Sequence, residues 1–301
     1  MERRAAGASG VDLSALAFGS MRMEVYSAPD SHWERLFLLL LDAGVTTFHS
    51  SSEYESYPRF CRVLKKVRRT RPGPPIQHIV KLAAPHFNEQ RFDASLFRER
   101  VESELKNLGA ESLSVVQWLL RQTPNSDEAR LAVFRDSSDA LAAEWESLRV
   151  AGKVGALTTF PYTQRFAAEA LDLKVCSGLT SYLNPAELEY ASWLDRMFER
   201  GQGFIAIRPM FAGKLLETPE IEDRAQLLDE IRGGRSRAEF CLRFALLHPG
   251  VSSAIVSLSS LAHAQETIAA VNSVRPDPAE FRRIVKMLAL AAPGSGRDAP
   301  T

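Results

Sequence analysis

Short, continuous apolar runs rich in β-branched residues recur along this chain, each followed by a longer stretch with helical spacing. The runs are Leu16–Phe18, Val45–Phe48, Ile76–Leu82, Leu113–Leu119, Val154–Thr159, Val175–Leu179, Phe204–Ile207 and Ser253–Val256. Brief runs without polar alternation read as strands buried on both faces, the condition of a parallel sheet covered by helices. Between them, Ser31–Ala43 stops at Gly44, and Phe97–Leu108 sets Val101, Leu105 and Leu108 on one face and stops at Gly109. Ala140–Val150 stops near Gly152; glycine just past a helix is a good terminator because it tolerates left-handed backbone. Phe166–Leu171, Leu188–Arg200, Ala238–Leu247 and Ala262–Val271 complete the helical set. Such alternation dictates parallel pairing with right-handed crossovers. The class is therefore α/β, and about eight units in 301 residues predict a closed (β/α)8 TIM barrel. A doubly wound open sheet shares the alternation, but no Gly-x-Gly-x-x-Gly follows the first strand. With no linker-like segment to divide it, the barrel is expected over residues 1–291, ending in an extra helix at Pro276–Ala291, with a disordered tail at 292–301.

Composition removes several function classes. Lys+Arg and Asp+Glu both number 37, so no net field favours nucleic acid or an anionic membrane. The three cysteines, Cys61, Cys176 and Cys241, are scattered and without C-x-x-C, which reads as buried free thiols. No histidine spacing suits a metal, so no metal is expected. The start, Met1-Glu2-Arg3-Arg4, leads into small polar residues, and the longest apolar run, Leu36–Leu41, is too short to span a bilayer. A cytoplasmic protein with a small-molecule substrate is expected.

In a barrel of this kind chemistry gathers where strands end and βα loops begin. Several strand ends carry legible motifs: Leu16-Ala17-Phe18-Gly19-Ser20-Met21, Gly44-Val45-Thr46-Thr47-Phe48-His49-Ser50-Ser51-Ser52-Glu53-Tyr54, and His78-Ile79-Val80-Lys81. Leu105-Lys106-Asn107-Leu108-Gly109, Gly152-Lys153-Val154 and Arg208-Pro209-Met210-Phe211-Ala212-Gly213-Lys214-Leu215-Leu216 follow in order. From about Leu16 to Val271 this series resembles the aldo-keto reductases. No single motif is strong; their serial order makes the resemblance specific.

The resemblance implies a (β/α)8 barrel of the aldo-keto reductase type, usually a monomer or weak oligomer, that moves hydride between NADP(H) and a carbonyl. In that family a tyrosine gives a proton to the carbonyl oxygen, a lysine lowers its pKa, an aspartate anchors the lysine, and a histidine orients the carbonyl. A phenol titrates near 10, so it needs a neighbouring cation to act as a proton shuttle. By position, the tyrosine falls on Tyr54 and the lysine on Lys81. The aspartate falls on His49 and the histidine on Leu119. The first change removes a fixed negative charge, and the second removes a hydrogen-bonding group.

The implied cofactor positions also depart. The pair that holds the carboxamide falls on Phe160 and Pro161, the assisting glutamine near Leu179, and the stacking aromatic on Ile207. Ile255-Val256-Ser257-Leu258-Ser259-Ser260 resembles the adenosine-phosphate loop, with Ser257 in place of glycine, and Glu266 matches a glutamate on the next helix. Ser257, Ser259, Ser260, Glu266 and Arg208 are the expected cofactor contacts, since a helix N-terminus favours anions.

Substrate contacts are expected from Met21, Trp118, Leu119, Arg121, Phe160 and Tyr162. Arg121, two residues past the fourth strand, reads as a surface ion pair more often than as a clamp for a substrate carboxylate, and Trp118 as core or pocket wall. Glu24 and Glu53 lie in candidate loops, either as new general bases or as solvated carboxylates. Three functions stay open. The first is a divergent NADP(H)-dependent oxidoreductase with Tyr54 as proton donor. The second is a non-redox enzyme (a dehydratase, isomerase or cyclase) in which Tyr54, Lys81 and His49 move protons and nicotinamide use is lost. The third is a catalytically silent binding protein.

Overall fold

The computed structural model describes residues 1–290 except 72, 74, 122–125 and 218–221. The tail expected at 292–301, and Ala291 of the expected last helix, lie outside the described residues. Eight parallel strands close into a barrel in which each is bonded to its sequence neighbours and the last returns to the first. They are β3 (Leu16–Gly19), β4 (Thr47–Ser50), β5 (Gln77–Ala83), β6 (Leu113–Leu119), β7 (Val154–Thr159), β8 (Cys176–Tyr182), β9 (Gly203–Ile207) and β10 (Val251–Val256). Helices α1 (Asp30–Asp42), α2 (Tyr57–Thr70), α3 (Ala94–Leu108), α4 (Asp127–Val150), α5 (Gln164–Asp172) and α6 (Leu194–Glu199) follow the first six strands. Next come α7 (Lys214–Glu217), α8 (Glu222–Ile231), α9 (Arg237–Leu246), α10 (Leu261–Ser273) and a final α11 (Pro278–Leu290).

A hairpin precedes the barrel that the strand pattern did not predict: β1 (Arg3–Ala5) pairs antiparallel with β2 (Asp12–Ser14). It closes the end of the barrel where the strands begin. Leu13 and Ala6, both buried, join an inner cluster with Ala17, Ile79, Val115, Ala156, Ile205 and Ile255. The turn sits so tightly that a Cβ on Gly7 would lie 2.5 Å from the Gly201 carbonyl oxygen, and its φ of +62° also requires glycine. Helix α2 was not predicted either, although Tyr57, Phe60, Cys61, Leu64 and Val67 are buried at helical spacing. Its cationic outer face, Arg62 to Arg69, masks the stripe in a composition-based reading. Helix α4 starts earlier than the glycine-terminated segment suggested, capped by Ser126, which accepts from the Ala129 N–H.

Strand register decides which side chains meet inside. Ala17 pairs with Thr47 in β3–β4, His49 with Ile79 in β4–β5, and Lys81 with Gln117 in β5–β6; Gln117 then pairs with Thr158 in β6–β7. Parallel partners point the same way, so these residues share the inner face with the aliphatic cluster. The inner column therefore runs from the Leu13 plug through Ile79 and Val115 to a polar upper layer of His49, Lys81, Gln117, Thr158 and Thr180. The alternate residues face the helices and form a larger outer core, including Phe18, Phe48, Val80, Trp118, Leu179 and Phe204.

The three cysteines are buried free thiols. Among the described residues, no helix is long and apolar enough to cross a membrane, and no group of acidic, histidine and cysteine side chains could hold a metal ion.

His78 lies on the outer face of β5, 1% exposed, with neither ring nitrogen hydrogen-bonded. Burial lowers its pKa from 6.5 to about 4, with a smaller push from Arg68. The unfolded chain then takes up a proton that the folded chain refuses. Stability from this residue is complete above pH 6.5 and declines as pH falls toward 4, by about 1.4 kcal/mol per pH unit. His78→Leu should flatten that part of the stability profile, which urea unfolding at pH 7.5 and at pH 5 would read out.

Candidate functional site

The loop between β4 and α2 carries both Glu53 and Tyr54, and the fold pins it from three sides. Ser51 donates from Oγ to the Lys81 carbonyl at 3.1 Å, and Ser56 donates to the Ser20 carbonyl at 2.8 Å. From behind, the buried Glu104 of α3 accepts a hydrogen bond from the Tyr57 hydroxyl and pairs with Ser52. Burial raises the Glu104 pKa against those hydrogen bonds. A buried carboxyl placed there with two donors ties the loop to α3.

Tyr54 and Lys81 meet at the open end of the barrel. Lys81 Nζ lies 4.7 Å from the centroid of the Tyr54 ring, over its face. The same ammonium is 2.9 Å from Glu53 Oε2, and Arg121 Nη2 is also 2.9 Å from that oxygen. His86 Nε2 stands 3.8 Å from the other Glu53 oxygen. Burial pushes the Glu53 carboxyl up, but the hydrogen bonds from Lys81 and Arg121 outweigh it and hold its pKa below the ordinary value. Glu53 is thus neither a free base nor a solvated loop carboxylate; it is the counter-ion of two cations.

The phenol responds in the direction opposite to the sequence expectation. Burial raises the Tyr54 pKa, the Glu53 carboxylate raises it further, and Arg121 offsets this only partly. Beside the ring, His49 sits with its ring centroid 6.0 Å from that of Tyr54. His49 Nε2 is 3.2 Å from Gln117 Oε1, which fixes an Nε2–H tautomer toward the amide oxygen. Burial lowers the His49 pKa to about 4, with Lys81 adding to the fall and Gln117 opposing it. His49 is therefore neutral at pH 7 and brings no like charge to Lys81.

Other expected residues divide into those at the mouth and those elsewhere. Leu119 faces inward through its register with Ala83. Phe160 stands edge-on to Tyr162 and Tyr182, each 5.4 Å away. Tyr162 is fixed: its hydroxyl accepts the Leu120 N–H at 2.9 Å, and Arg130 lies 3.8 Å over its ring. Met21 is 55% exposed in the short turn after β3. Trp118 is a correction. It points away from the barrel interior, is 1% exposed, and donates from Nε1 to the Ala84 carbonyl, packed on Phe92 and Phe134. Leu179 likewise belongs to the outer core, and the inward residue at that level is Thr180, whose hydroxyl is 2.8 Å from that of Thr158. Glu24 is an ion-pair partner of Arg59 at 3.1 Å.

The expected phosphate loop follows β10. Ser260 caps α10 by accepting the His263 N–H at 3.1 Å, Ser259 gives its carbonyl to His32, and Ser257 donates weakly to the Gly19 carbonyl. Glu266 is exposed on α10. Arg208 turns toward β8: its guanidinium lies 4.7 Å over the Tyr182 ring, 5.2 Å over that of Phe211, and 3.5 Å from Glu187. Its φ of +54°, unusual for a non-glycine residue, is held by Asn184, which donates to its carbonyl at 2.9 Å.

A model of the Aldo/keto reductase family matches residues 15–289. The chain belongs to the aldo/keto reductase family. The holo form of aldo-keto reductase AKR11C1 from Bacillus halodurans superposes with a TM-score of 0.74 at 19% identity, covering 98% of this chain and 99% of that one. Its apo form gives 0.71 at the same identity and coverage. A search of curated proteins found no match.

Of the residues the resemblance implied, Tyr54 and Lys81 come together at the mouth, and the carboxylate paired with Lys81 is Glu53, while position 49 holds a buried histidine. Three other residues at the site escaped the sequence reading. Gln117 is recognisable only through its register with Lys81, Glu104 only through helix packing, and Tyr182 only as the strand partner of Ile207. Glu53→Gln should lower the Tyr54 pKa, because it removes a neighbouring negative charge and leaves Lys81 unpaired. Tyrosinate absorbance titrated against a Tyr54→Phe reference would detect it; an unchanged curve would contradict this account.

Proposed function

We propose that this aldo/keto reductase is an NADP(H)-dependent oxidoreductase that reduces a small carbonyl compound or oxidises the matching alcohol, with Tyr54 as the proton donor. The convergence of Tyr54, Lys81 and Glu53 at one mouth carries the reading: a phenol, a cation over its face and a carboxylate holding that cation.

The residues available fit the cofactor at two of its three parts. The Ser257–Ser260 turn at the N-terminus of α10 suits a phosphate through Ser259, the Ser260 backbone and the helix dipole. Tyr182, register partner of Ile207, supplies an aromatic ring one strand across from where the family places it. The carboxamide end is poorer, since Phe160 and Pro161 offer no side-chain donor; each lost neutral bond costs about 1 kcal/mol. NADP(H), when bound, supplies or accepts the hydride.

The chain's own part is proton transfer and positioning. A protonated phenol donates from Oη to the carbonyl oxygen as negative charge grows there. Lys81 over the ring face stabilises the phenolate left behind, and Glu53 keeps the ammonium from swinging into solvent. The phenolate regains its proton from water through the open mouth. The raised pKa keeps the phenol protonated before the substrate arrives but makes it a weaker acid, so donation depends on the charge that develops on the substrate oxygen and on the nearby Lys81. Leu119, where the family has a histidine, leaves Tyr54 as the main donor to the oxygen.

A second reading is supported by the missing carboxamide donors: a non-redox enzyme in which Tyr54 and neutral His49 shuttle protons. NADPH titration by fluorescence quenching separates the two. The redox reading expects saturable binding at micromolar to low millimolar concentration, and no quenching up to millimolar would sink it. In the redox case Tyr54→Phe should keep that binding and lose roughly 100- to 10,000-fold in carbonyl turnover; full turnover would remove Tyr54 from the mechanism.

A further inference from the structure

We infer that the mouth selects carbonyl substrates that also carry a carboxylate, with Arg121 as the residue that binds it. This rests on the oxidoreductase reading for the reaction, but the binding itself does not. Two permanent cations, Lys81 and Arg121, share a single oxygen of a single carboxylate, Glu53, with His86 close to the other oxygen. One negative charge cannot neutralise both, so the cluster keeps a net positive charge beside Tyr54.

Arg121 has donors to spare. Its contact with Glu53 uses Nη2 alone, and no hydrogen bond among the described residues occupies Nη1. A guanidinium offers five N–H groups in a rigid fork that matches carboxylate geometry. Lys81 is committed on both sides, to the Glu53 oxygen and the Tyr54 ring face, and its side chain is only 16% exposed. Arg121 is more open, with a side chain 28% exposed, two residues beyond the end of β6. It is the cation an incoming anion meets.

The walls add the second half of the specificity. Phe87 is 52% exposed and lies with its ring centroid 5.6 Å from the Arg121 guanidinium carbon. Met21 and Val25, 55% and 65% exposed in the loop after β3, add further apolar surface among the loops at this end of the barrel. A cation beside a bare aromatic ring suits an anion with an apolar body, such as an aromatic or branched-chain oxo acid, better than a sugar or a neutral short aldehyde. Recognition follows from charge pairing in a half-buried site, where it outweighs the same pairing in open water.

The test uses three probes: 2-carboxybenzaldehyde, 4-carboxybenzaldehyde and the neutral methyl 4-formylbenzoate. With NADPH, the better of the two acids should exceed the ester in kcat/KM by about ten-fold or more, and the advantage should appear mainly in KM. Arg121→Met should bring the acid-to-ester ratio close to one, and Arg121→Lys should keep part of it. A merely structural role for Arg121 would lower acid and ester alike and leave the ratio intact, which overturns the inference. Calorimetric binding of the same acids without cofactor makes the two readings separable. Binding that depends on Arg121, in a protein that ignores NADPH, upholds this inference and defeats the redox reading. NADPH-dependent reduction with an ester as good as either acid does the reverse.

Discussion

Two-residue periodicity inside a closed parallel barrel is the constraint on which the rest of this structure depends. Once eight strands close with the register observed, every second side chain has no destination but the barrel axis. Most of that column is aliphatic: Ala17, Ile79, Val115, Ala156, Ile205 and Ile255 pack against Leu13 of the N-terminal hairpin. The plug matters because it excludes water from below and leaves one open end. Polar inward residues gather near that end, where His49 meets Gln117 and Thr158 meets Thr180; at the closed end Thr47 and Ser253 are satisfied instead by the backbone of Ser14 in the plug. Lys81 emerges from the same column two residues above Ile79, so its ammonium arrives at the mouth because of strand parity.

Electrostatics at the mouth follows from where charge can be placed. A carboxylate at position 49 would sit within the enclosed column; the histidine found there is neutral, held so by burial, and spends its N–H on an amide. The counter-charge for Lys81 comes instead from Glu53, on a loop with access to water, where its cost of desolvation is smaller. Moving the carboxylate outward has a second effect. It comes within reach of Arg121, and the pair of cations on one oxygen depresses the Glu53 pKa while the phenol of Tyr54 is raised. The phenol is thereby held in its protonated form at neutral pH.

The loop that bears these groups has little rigidity of its own, being short and rich in serine. Its order comes from Ser51 on the Lys81 carbonyl, Ser56 on the Ser20 carbonyl, and the buried Glu104 beneath. The three attachments reach three different elements, β5, the turn after β3, and α3. The relative placement of Tyr54 and Lys81 is thus shared by the whole upper half of the barrel.

The chain's alternation of β-branched runs and glycine-terminated helices determined the class and strand order, because burial on both faces leaves its mark residue by residue. The ordered motifs from Leu16 to Val271 determined the family and located Tyr54 and Lys81, because strand ends are where such residues must sit. The hairpin plug escaped notice because its strands are three residues each, too short to show a period. Tertiary structure alone decided that Trp118 faces the helices, that Arg208 leans toward Tyr182 and not toward the Ser257–Ser260 loop, and that Glu53 pairs with Lys81 and Arg121. The reason is common to all three. A side chain's direction depends on register with a strand distant in sequence, and an ion pair depends on which loops the closed barrel brings side by side.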